Sequence, residues 1–104
     1  MQLIEQSILT QRQTTEPLTA QLTALLFRHD PVHITYETNW DEYAPEALNI
    51  RTRLNSCLDF DDVCRVVYEE LVRSFGAEAI GPLQESEPIA AEAWALWRKA
   101  GAFA

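Results

Sequence analysis

A chain of 104 residues, 47% of them hydrophobic and 23% charged, has room for one domain around one core, and its composition argues against intrinsic disorder. Sixteen acids against eight bases leave a formal net charge of -8, which argues against nonspecific binding to nucleic acid through phosphate contacts. No run approaches the ~20 apolar residues of a membrane span, and Met1 to Gln13 carries Glu5 with no apolar stretch of signal-peptide length, so the expected location is the cytoplasm.

In chain order, residues 2–12 are expected to form a helical lead-in. Leu18, Leu22, Leu25 and Leu26 then recur at helical spacing, with Thr15 as the expected cap and Pro17 tolerated in the first turn. Next, Val32, Ile34 and Tyr36 alternate with His33 and Thr35, which predicts a short extended segment, packed on the helices or paired with a partner chain. His29, Asp30 and His33 are the right residue types for a metal. Pro31 interrupts any helix through them, and an extended chain would set the two histidines roughly 13 Å apart, so structural or surface histidines are expected and no metal or other cofactor.

The run Asn39-Trp40-Asp41-Glu42-Tyr43-Ala44-Pro45-Glu46 places two aromatics and three acids where a helix begins. Two readings fit it. Asp41 and Glu42 suit a helix N-terminus and Trp40 and Tyr43 can pack back onto the core. Alternatively Trp40, Asp41, Glu42, Tyr43 and Glu46 form an exposed acidic-aromatic patch whose rings anchor a contact while its carboxylates meet a basic partner.

Pro45 to Leu58 puts Ala47, Ile50, Leu54, Cys57 and Leu58 on one helical side. Asp59 to Gly76 is the clearest element, with Phe60, Val63, Cys64, Val67, Tyr68, Leu71 and Phe75 on one face, Asp59 as N-cap and Gly76 as stop. Asp61 with Arg65 and Glu69 with Arg73 are expected as i,i+4 pairs. Residues 77–87 read as a loop broken by Gly81 and Pro82 and anchored by Ile80 and Leu83. A last helix is expected from about Glu87 to Ala100, capped by Ser86, with Ile89, Ala93, Leu96, Trp97 and Ala100 on its main face. Its other side, with Ala90, Ala91, Trp94 and Ala95, is also apolar. Together with Val66, which points off the main face of its own helix, this suggests either a sandwiched helix or a homodimer through Trp94.

Asp30-Pro31, then Asp41-Glu42-Tyr43 and Pro45-Glu46, then the helix pair ending at Phe75-Gly76, resembles a pattern in small uncharacterised bacterial helical proteins. The resemblance covers residues 29–76. It implies a compact helical domain of a type that extends to immunity proteins of bacterial toxins, and it carries over no catalytic residue. Enzyme templates find no match in the residues: Gly76, Gly81 and Gly101 make no phosphate-cradling loop, the serines lack a nucleophile-elbow context, and Cys57 and Cys64 fall on apolar faces.

The expectation is therefore a mainly α, single-domain bundle of four or five helices with one candidate extended segment. Leu22, Leu25, Ile50, Leu54, Val63, Val67, Leu71, Phe75, Leu96 and Trp97 are expected at its centre. Its expected function is protein binding without catalysis, as an immunity or inhibitor protein with an acidic surface. The alternative is a self-associating structural or accessory protein. No nucleic acid or membrane partner is expected.

Overall fold

A computed structural model describes residues 17–33 and 42–100. The expected lead-in at residues 2–12, the cap Thr15 and the stretch Ile34 to Asp41 lie outside the described residues.

Among the described residues there are five helices and no strand: α1 Pro17–His29, α2 Ala44–Leu54, α3 Phe60–Phe75, the single turn α4 Ala77–Ile80, and α5 Leu83–Lys99. The mainly α bundle is as the periodicity predicts. The four longer helices pack in a ring, in which α1 and α3 each touch both α2 and α5. Leu22, Leu25 and Leu26 from α1 meet Ala47, Ile50 and Leu54 from α2, Val63, Val67 and Leu71 from α3, and Ala90, Ala93 and Trp97 from α5 in one core.

The strongest local signals lie on α3. Asp59 has extended backbone and its side chain accepts from the Asp62 amide at 2.9 Å, satisfying one of the free N–H groups of the first turn. At the other end Gly76 has φ +91°, a conformation that favours glycine, and its amide closes the last turn on the Val72 carbonyl. The ion pairs differ from expectation by one residue. Arg65 reaches Asp62 at 2.7 Å and Arg73 reaches Glu70 at 3.1 Å, both i,i+3, while Glu69 bonds Arg53 of α2 at 2.8 Å.

Further expectations are corrected. The stretch after Gly76 contains the turn α4, and α5 begins at Leu83 rather than after Ser86, so that Ser86 is a buried residue within the helix and Pro88 stands inside it. Burial of Ser86, Ile89 and Ala90 against the core carries the helix through a proline that local propensity would set at its start. Ile80 is buried, as its anchoring role requires, but Leu83 is exposed. Val66 and Ala90 are buried inside the chain and Trp94 is partly so, while Ala91 and Ala95 are exposed, so the apolar second side of α5 is only partly covered within the bundle. Phe75 and Leu96 stand at the edge of the core, partly buried, instead of at its centre.

Candidate partner-binding surface

The acidic-aromatic run is divided by the fold. Trp40 and Asp41 lie outside the described residues, and Glu42 is exposed. Tyr43 is 0% exposed, which corrects its assignment to a surface patch. It occupies the N-cap position of α2 without capping it by its side chain, and its ring turns inward to meet Phe75 edge-on at 5.8 Å. Its hydroxyl donates to Asp30 Oδ1 at 2.7 Å and accepts from the Val32 amide at 3.2 Å. A phenol with satisfied hydrogen bonds and a buried ring is held more favourably there than in water. Glu46 is likewise buried, in the first turn of α2, with Oε1 accepting no hydrogen bond. Trp94, on α5, is half-buried, with the Arg98 guanidinium 5.7 Å from its ring centre. Of the six residues singled out for partner binding, only Glu42 is described as exposed.

The segment that receives Tyr43 turns back on itself. Asp30 and His33 have φ +49° and +57°, a region that Asp and His enter more readily than most residues, and the His33 amide bonds the Asp30 carbonyl at 3.0 Å. Val32 and His33 therefore belong to a turn, and the expected extended segment does not begin there. The two histidines are not separated by an extended chain; with Asp30, Glu85, Ser86 and Ile89 they line a small cavity of about 220 Å³. No three His, Cys, Asp or Glu side chains among the described residues are grouped to hold a metal ion. His29 Nε2 is instead 2.8 Å from Glu92 Oε2, and Arg28 Nη2 lies 2.7 Å from Glu92 Oε1.

This clamp ties α1 to α5 and sets a pH response. Hydrogen bonds from Arg28 and His29 hold the Glu92 carboxyl down to about 2 from its ordinary 4.5. A carboxyl whose folded pKa is depressed contributes stability above its unfolded pKa and loses it as pH falls through the folded one. Unfolding midpoints in urea are thus expected to fall between pH 4.5 and about 2. Glu92→Gln should flatten that part of the profile; a variant with an unchanged acid limb would assign the loss to other carboxylates.

The charges left at the surface are mostly acidic. Arg28, Arg53, Arg65 and Arg73, four of the eight bases, are engaged in ion pairs. Glu42, Asp59, Asp61, Glu78, Glu85 and Glu87 are exposed and enter no ion pair among the described residues. Between α2 and α3, Asp59 and Asp61 adjoin apolar residues in the chain. Leu58 is 79% exposed and Phe60 36% exposed, where the helical pattern had put both on buried faces. The helix containing Leu54 ends there, Asn55 and Ser56 turn, Cys57 folds inward, and Leu58 is left outside. Burial pushes the thiols of Cys57 and Cys64 up, which disfavours the reactive thiolate, and the carboxylates of Glu87 and Asp61 add to the effect at Cys64.

Two larger hollows, of about 360 and 440 Å³, run along α1 and α5 past Leu96 and Lys99 as open troughs. Arg51 lies over the Trp97 ring at 5.2 Å beside the first of them. Neither holds a set of converging polar groups that would orient a small substrate. Comparison with protein-family models, with curated proteins and with solved structures gives no match. No helix among the described residues is long and apolar enough to cross a membrane.

Proposed function

We propose that this chain is a protein-binding module, of the inhibitor or immunity kind, whose acidic surface covers a basic site on another protein. The observation that supports the reading is the asymmetry of its charges: Arg28, Arg53, Arg65 and Arg73 are held in ion pairs, while Asp59, Asp61, Glu78, Glu85 and Glu87 are exposed and enter no ion pair among the described residues. Such a surface steers a positively charged partner toward encounter and repels acidic competitors.

The test is capture of partners from a lysate of the source cells on the purified chain, with elution in rising salt, followed by stopped-flow mixing of the purified pair. A basic protein released by salt in stoichiometric amount, whose association slows about tenfold or more from low to high ionic strength, supports the reading. An association rate indifferent to salt sinks it. Recovery of only a second copy of the chain, resistant to salt, would favour the self-associating alternative.

A further inference from the structure

We propose that the corner between α2 and α3 is the docking point of this module: Leu58, followed in the chain by the exposed Asp59 and Asp61, inserts as an apolar knob into a socket rimmed by Lys or Arg on a partner protein. The proposal rests on the acidic-surface reading above and assigns it a place.

The corner is held from both sides. Ser56 and Cys57 amides bond the Arg53 and Leu54 carbonyls, each at 3.0 Å, and fix the chain as it leaves α2. On the far side the Leu58 amide donates to Asp62 Oδ2 at 2.8 Å while the Asp62 amide donates to Asp59 Oδ1 at 2.9 Å, a reciprocal pair that sets the chain as it enters α3. Arg65 then grips the other oxygen of Asp62 at 2.7 Å. Leu58 thus stands between a buried Cys57 and a capping Asp59, with its backbone already ordered. Little conformational entropy remains to be lost there on binding, which is how a preorganised contact gains affinity.

An apolar residue before an N-cap commonly folds back onto the fourth residue of the helix as a staple, here Val63. Leu58 does not, since it remains 79% exposed while Val63 is fully buried by other neighbours. Phe60, two residues on, adds a partly exposed ring. The charge around the knob chooses the occupant. Asp59 and Asp61 follow it in the chain and are exposed, and the nearby cation Arg65 is already committed to Asp62. A cationic rim around an apolar socket satisfies both features, whereas a second copy of this corner would bring like charges together.

The experiment uses the full chain, labelled with nitrogen-15, and two probes of equal length: a synthetic amphipathic peptide of leucine and lysine only, and oligolysine. The leucine-lysine peptide is expected to shift the amides of residues 57–64, to bind more tightly than oligolysine, and to weaken with salt. Leu58→Ser should cut its affinity about tenfold, leave oligolysine binding unchanged, and leave the thermal midpoint unchanged because the side chain is exposed. Asp61→Asn should weaken both probes.

Unchanged affinity in Leu58→Ser, or shifts centred on the troughs beside Lys99, would overturn the corner while leaving the acidic-surface reading to be judged by its own salt test. No binding of the leucine-lysine peptide at low salt would overturn it as well. So would a chain that sediments as a dimer and becomes a monomer on Leu58→Ser, since the knob would then belong to a second copy.

Discussion

Tyr43→Ala is expected to destabilise the protein by about 3–5 kcal/mol, read as a lower urea midpoint with an unchanged slope. The side chain is fully buried, so truncation opens a cavity against Phe75 and removes the ring's contacts. It also removes the hydroxyl that joins Asp30 Oδ1 and the Val32 amide, leaving a carboxylate and an N–H to find other partners. Tyr43→Phe separates the two contributions. It keeps the ring and should cost about 1–2 kcal/mol for the lost bonds alone. Against a total stability of about 5–15 kcal/mol for a domain of this size, the alanine variant approaches the folding threshold. A Tyr43→Ala protein within about 0.5 kcal/mol of the parent would show that the ring does not carry the packing described, and would return Tyr43 to consideration as a surface residue.

The same residue shows where reading the chain alone stops. Asp41, Glu42 and Pro45 mark a helix start, and α2 does begin at Ala44. Whether the neighbouring tyrosine faces in or out depends on an acceptor 13 positions earlier and on Phe75 from another helix, neither of which local pattern identifies. By contrast α3 was legible end to end, because periodicity, an aspartate cap and a terminal glycine are all local and all agree. The start of α5 was not, since Ser86 and Pro88 imitate an N-terminus and only the burial of Ser86, Ile89 and Ala90 shows the helix running through them. Leu58 lies between these cases. Its spacing from Leu54 continues an apolar face, yet Asp59 as a cap already requires the residue before it to lie outside α3. The junction around Leu58 to Phe60 is thus readable as a corner between the two helices, while the exposure of Leu58 depends on packing that no local pattern identifies.

Arg53→Ala is expected to be the next most damaging change, at about 2–3 kcal/mol, because of what it strands. Glu70 is 1% exposed, and its Oε2 receives Arg53 Nη1 at 3.0 Å and Arg73 Nη2 at 3.1 Å, while its Oε1 accepts no hydrogen bond. Arg53 also bonds Glu69, so one guanidinium ties α2 to two successive acids of α3. Removing it leaves a buried carboxylate supported by Arg73 alone, whose side chain is largely exposed and therefore screened. Arg73→Ala, with Arg53 in place, should cost less than about 1 kcal/mol. Glu70→Leu tests the cause. Deleting the buried charge together with its unsatisfied oxygen should leave stability within about 1 kcal/mol of the parent despite the loss of both ion pairs, because an apolar side chain of similar size needs no cation. If Glu70→Leu were as damaging as Arg53→Ala, the ion pairs themselves would be the source of stability; if it is near neutral, their contribution is to make an otherwise costly buried acid tolerable where α2 meets α3.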